Sequence, residues 1–170
     1  MSNNLSITNQ PGYFQRYIDQ VVEKQLDAAF IQQSKEIKLL LPSISEEKSM
    51  YSYAADKWTL REILQHLIDS ERIFSYRALC IGRKESAILP GFDENEYAAV
   101  SNANHRSWES LTAEFVTVRK STLFLFDSFT SPMLDTKGKA GNNTLSVKEL
   151  GFIIIGHFRH HQHIMEERYW

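Results

Sequence analysis

Four of the six histidines in this chain crowd into its last stretch, at positions 157, 160, 161 and 163. From Ser146 the sequence reads S-V-K-E-L-G-F-I-I-I-G-H-F-R-H-H-Q-H-I-M-E-E-R-Y-W. Imidazole nitrogens are the commonest protein ligands for divalent metals, and they also shuttle protons near neutral pH. On a helix, His157 and His161 are four residues apart and project from one face. Leu150, Ile154 and Ile164 share that face and are apolar. Two imidazoles in a buried stripe are costly unless something binds them, and a divalent metal is the obvious candidate. The spacing leaves rival pairings open, because His160 can also meet His157 or His163. The bland alternative is a set of hydrogen-bonded core histidines.

A further histidine, His66, lies in a second helical stretch beside an apolar face of Leu60, Ile63, Leu64, Leu67, Phe74, Ala78 and Ile81. Three neutral imidazoles would leave a coordination position open for water or substrate, as catalytic sites do. Asp69, three residues on, could orient the His66 ring or simply be solvated. Asp93, Glu94 and Glu96 could border a pocket, though a charged loop tip is the simpler reading. Trp58, Trp108 and Trp170 read as core or interface aromatics. His105 reads as an exposed loop residue, and Cys80 as a packing residue with no base beside it. No Gly-rich phosphate loop, nucleophile elbow, H-E-x-x-H or paired CxxC occurs.

The elements that must position these residues are helical. Thr59 and Glu62 form a capping box that starts a helix running to about Ile81, with Gly82 expected as the left-handed residue that ends it. Ser146 and Glu149 form a second box, opening a helix that runs to the C-terminus. His66 then lies about 10 Å along its helix, and His157 and His161 about 16 and 22 Å along theirs, away from frayed ends. Two more helices are expected from Glu23 to Leu41, closed by Pro42, and from about Ser107 to Phe129, closed by Ser131-Pro132. A short amphipathic piece precedes them at Tyr13 to Val22. The connection from Ser43 to Lys57 holds one helical turn. Residues 83–106 make too long a connection to be structureless, so they form a lid or hold a short helix near Asn95 to Val100. The Gly/Asn-rich run from Lys137 to Thr144 reads as a turn, and no strand is expected. Residues 1–10 are polar and expected to be flexible.

At 170 residues the chain suits one domain, and a four-helix bundle would use all of it. An apolar fraction of 42% is enough for a core. A net charge of −2 with no Lys/Arg run argues against nucleic acid as a partner. No apolar run is long enough to cross a bilayer. The opening residues lack a basic and an apolar region, so no signal peptide is expected. One cysteine excludes an intrachain disulfide and suits a cytoplasmic protein.

Three segments resemble the DinB-like/YfiT-like superfamily. They are K-W-T-L-R-E-I-L-Q-H-L-I-D-S-E-R-I-F-S-Y-R-A-L (Lys57 to Leu79), L-P-G-F-D-E-N-E-Y (Leu89 to Tyr97) and G-H-F-R-H-H-Q-H-I-M-E-E-R-Y (Gly156 to Tyr169). The resemblance spans nearly everything after Tyr13. It implies an all-α, up-down-down-up four-helix bundle, with a long crossover and an extended loop between the second and third helices. It also implies a divalent metal, zinc or nickel, on one histidine of the second helix and an H-x-x-x-H pair of the fourth, here His66, His157 and His161. Relatives of this kind include transferases and isomerases that use low-molecular-weight thiols, and metal-dependent hydrolases, and they often form homodimers. The implied function is a metal-dependent enzyme activating a thiol or a water on a small-molecule substrate. The competing one is a non-enzymatic, stress-associated metal-binding or interaction module.

Overall fold

Both histidine-bearing helices begin at the expected caps. In the computed structural model, which describes residues 12–170, Thr59 Oγ1 accepts from the Glu62 N–H at 3.2 Å, and the Glu62 carboxylate accepts from the Thr59 N–H at 2.7 Å. Ser146 and Glu149 do the same at 3.1 and 2.7 Å. Each pair satisfies two donors that a helix start would otherwise leave open. The expected flexibility of residues 1–10 lies outside the described residues.

The order of elements is α1 (Gln15–Ile18), α2 (Leu26–Leu40), α3 (Glu46–Ser49), α4 (Leu60–Gly82), α5 (Glu94–Val100), α6 (Trp108–Asp127), α7 (Ser131–Leu134), β1 (Lys137–Ala140), β2 (Asn143–Ser146) and α8 (Val147–Arg168). The four long helices α2, α4, α6 and α8 carry the fold. α4 packs on α6 and α8, while α1 and α2 pack on α8. The long connection after α4 does hold a helix, α5, capped by Asp93, whose carboxylate accepts from the N–H groups of Asn95 and Glu96. Asp93 is therefore spoken for as a cap.

Three local expectations need correction. Lys137 to Ser146 is an antiparallel hairpin and not a simple turn, pairing Lys137 with Ser146 and Ala140 with Asn143. Gly141 takes the positive φ of 57° that the tight turn requires. Long-range burial holds the hairpin: Ala140 and Leu145 are buried, and Leu89 bonds backbone to backbone with Lys139 and Gly141 at 2.9 Å each. Gly82 does not end α4 in a left-handed conformation. Lys84 does, at φ 65°, with the 84→81 and 85→80 backbone bonds of a Schellman cap. Gly82 is needed for space, because a Cβ there would lie 2.6 Å from the Phe129 ring. Ser131-Pro132 likewise opens α7 as well as closing α6.

The apolar interior divides into two clusters. One gathers Phe14, Tyr17, Phe30, Phe74, Phe126 and Ile154. The other gathers Ile37, Leu64, Trp108, Phe115, Phe158 and Met165. Buried polar groups lie between them. Arg119 on α6 makes a two-point ion pair with Glu71 on α4 at 2.8 and 2.9 Å, and it also contacts the Gln33 carbonyl. Gln33 in turn donates to the Ile155 carbonyl at 2.6 Å. Four helices thus share one polar network, in which the buried Arg119 charge is paired with Glu71. His66 and His157 are also buried, on α4 and α8.

Candidate metal centre

α4 and α8 deliver three imidazoles to one point. His66 Nε2 lies 3.0 Å from His157 Nε2, which lies 3.2 Å from His161 Nε2. Taken together, the three rings present ligand atoms within 4.8 Å of one another. His66 and His157 are buried, and His161 retains some exposure as a residue while its ring lies deep.

Hydrogen bonding cannot account for this convergence. An imidazole nitrogen carries either one N–H or one in-plane lone pair. His157 Nε2 therefore cannot satisfy both of its neighbours. A cation inside the triangle would accept all three lone pairs at once. Ligands about 2.0–2.1 Å from a tetrahedral zinc stand about 3.4 Å apart, close to the 3.0 and 3.2 Å separations from His157, while the set as a whole spreads to 4.8 Å and would have to tighten around an ion. The donor set, three nitrogens with no thiolate or carboxylate, matches zinc or nickel better than calcium or magnesium.

The surroundings keep the rings neutral. Burial pushes His66 down to about pKa 4, assisted by the neighbouring His160. Burial and then the charges of the other rings hold His157 and His161 well below the usual histidine range. Ser70 Oγ stands 3.5 Å from His66 Nδ1, where a proton would leave Nε2 bare for a ligand role. Trp58 lies on the His66 ring with centroids 4.9 Å apart, and Tyr17 and Phe74 meet His157 edge-on at 4.9 and 6.0 Å. These rings pack against His66 and His157.

The depressed pKa values set a sign for acid stability. A histidine whose folded pKa lies below its unfolded value near 6.5 contributes stability present above that value and lost as the pH falls. For His66 the window runs from about 6.5 to about 4. Each such ring can steepen the loss by up to about 1.4 kcal/mol per pH unit. Metal-free protein is therefore expected to lose stability steeply between about pH 6.5 and about pH 5. Urea melts of the apoprotein across that range check this, and a flat profile would contradict buried neutral rings.

Other sequence candidates fall outside the cluster. His163 and His105 are exposed, and His160 is half-buried against Tyr17 at 5.5 Å between ring centroids. Asp69 does not orient His66: its carboxylate accepts from Gln65 at 2.9 Å, with Arg72 nearby at 3.9 Å. Trp108 is a core residue bonded to the Leu41 carbonyl, whereas Trp170 is exposed. Cys80 is a free, half-buried thiol.

One feature escaped the sequence reading. α1 lies directly on α8, where Gly156 has no side chain and the Tyr17 carbonyl fills the space, so that a Cβ would lie 1.8 Å from it. α1 thereby sets Tyr17 beside His157, with Arg16 over the rings of Tyr17 and of Tyr13 just before the helix. The Y-F-Q-R-Y run, with tyrosines four apart around an arginine, was the available signal.

A DinB superfamily model matches residues 18–165, spanning all three histidines and nearly every element that positions them. The chain belongs to the DinB superfamily. No curated protein matches it significantly. Among solved structures, the DinB chain is similar to YfiT from Bacillus subtilis, described as "a probable metal-dependent hydrolase with an unusual four-helix bundle topology". The TM-score is 0.63 over 98% of this chain and 89% of that one. At 15% identity the likeness is one of fold.

Proposed function

We propose that this DinB protein is a metal-dependent enzyme in which His66, His157 and His161 hold one divalent ion, zinc or nickel, through their Nε2 atoms. The observation that carries this reading is the shared convergence of three Nε2 atoms that hydrogen bonding cannot satisfy. A divalent ion in such a site lowers the pKa of a thiol or water at its open position, giving a nucleophile near neutral pH. The chain's own residues do the rest. The rings stay unprotonated through burial, Ser70 stands where it can accept from the Nδ1–H of the ligating tautomer of His66, and Trp58, Tyr17 and Phe74 pack against the ligand rings. A small-molecule substrate, with a low-molecular-weight thiol as co-substrate, is the substrate class we propose, as the superfamily resemblance implies.

The up-down-down-up order implied by the superfamily accords with the long connections α2–α4 and α4–α6. A homodimer is the oligomeric state we propose. Ile31, Leu39, Val116 and Phe124 expose apolar surface on α2 and α6, which a second copy would cover. Among the described residues no helix is long and apolar enough to cross a membrane.

The test is metal removal and return. Chelated protein should lose thiol-dependent consumption of a model electrophile, or hydrolysis of an activated ester, and regain it with one equivalent of zinc or nickel. Activity that survives complete metal removal would overturn the reading.

A further inference from the structure

The two histidine-bearing helices supply ligands but no group to recognise a substrate. α1 supplies one. Arg16 Nη2 donates to Tyr17 Oη at 2.6 Å and to Tyr13 Oη. The guanidinium lies over both rings, 4.0 and 4.6 Å from their centroids. Tyr17 is buried, and its ring meets both His157 and His160 edge-on. The contact of Gly156 with the Tyr17 backbone fixes the whole group against the metal-bearing face of α8.

This arginine is held by two neutral hydroxyls. Among the described residues no carboxylate forms an ion pair with it. Glu94 accepts from the Tyr13 hydroxyl at 3.5 Å and feels the Arg16 charge from beyond ion-pair distance. Both hydroxyl contacts use Nη2, and the residue is exposed. A cation pinned beside a site for a divalent cation is unfavourable by itself. An anion between them removes the conflict, and a carboxylate accepting one charge-assisted hydrogen bond from the guanidinium would supply it.

We infer that Arg16, positioned by Tyr13 and Tyr17, binds a carboxylate on the molecule that occupies the open metal position. This rests on the open position proposed above. It narrows the substrate class to small acids, or to thiols that carry a carboxylate near the sulfur. It also gives α1 a role in specificity that the histidines cannot supply.

Cobalt-loaded protein tests this without turnover, because a thiolate entering the cobalt shell adds a near-ultraviolet absorption band. The probes are 3-mercaptopropionate and its uncharged counterpart 2-mercaptoethanol. Native protein should bind the acid about tenfold more tightly, the value of one charge-assisted contact. Arg16→Gln should abolish that preference while leaving 2-mercaptoethanol affinity unchanged, and Arg16→Lys should keep part of it. Equal affinities in the native protein, or a preference that survives in Arg16→Gln, would overturn the inference and leave the metal reading standing. If neither thiol perturbs bound cobalt, the open position does not exist, and both fall together.

Discussion

Alanine in place of His157 is expected to lower zinc or nickel affinity by more than about a hundredfold while leaving the helices assembled. Loss of an outer partner of a ligand already costs 10- to 100-fold, roughly, and loss of the ligand itself should exceed that. His157 is the member to remove because its Nε2 touches both of the others. The same change should make the metal-free protein less sensitive to acid, since burial and the charges of its neighbours hold this ring far below its ordinary pKa. Competition titration with a chromogenic chelator measures the affinity, and acid melts measure the second effect. A variant with native affinity would show that His157 is a core residue and no ligand.

Gly156→Ala is expected to detach α1 and destabilise the protein by about 3–5 kcal/mol. The new methyl would lie 1.8 Å from the Tyr17 carbonyl oxygen and 2.5 Å from its carbon. Both are backbone atoms of a short helix, so no side chain can swing aside. Relief requires α1 to move, exposing Phe14 and Tyr17, which are 5% and 4% accessible in place. Burial of one such ring stabilises by roughly 1.5–3 kcal/mol, which sets the scale. The ligands on α4 and α8 do not depend on α1, so one equivalent of metal should still bind. Denaturant melts with and without metal separate the two effects. A melting curve equal to that of the native protein would show that α1 does not need this contact.

The parts of this architecture written in short-range chemistry were legible in the sequence. Thr59 with Glu62 and Ser146 with Glu149 are reciprocal contacts three residues apart, so their helices could be placed almost to the residue. The step from His157 to His161 is equally local. His66 was reachable because a helix start and an apolar stripe together locate a ring. What stayed hidden depends on contacts distant in the chain. The hairpin from Lys137 to Ser146 lacks an alternating apolar pattern, and it is held by Leu89 and the end of α4. Gly82 looked like a helix terminator, but its lack of a side chain serves the Phe129 ring. The Arg119–Glu71 pair joins residues 48 positions apart. Gly156 and Tyr17 meet across most of the sequence, so the placement of Arg16 beside the triad was invisible until α1 was docked.

X-ray absorption at the metal edge, on zinc- or nickel-loaded protein prepared without a polyhistidine tag, tests the central claim most directly. Three imidazole ligands and one or more light oxygen or nitrogen neighbours are predicted, with one imidazole lost in His66→Ala. A shell containing sulfur, or a spectrum unchanged by His66→Ala, would contradict a metal centre built from His66, His157 and His161.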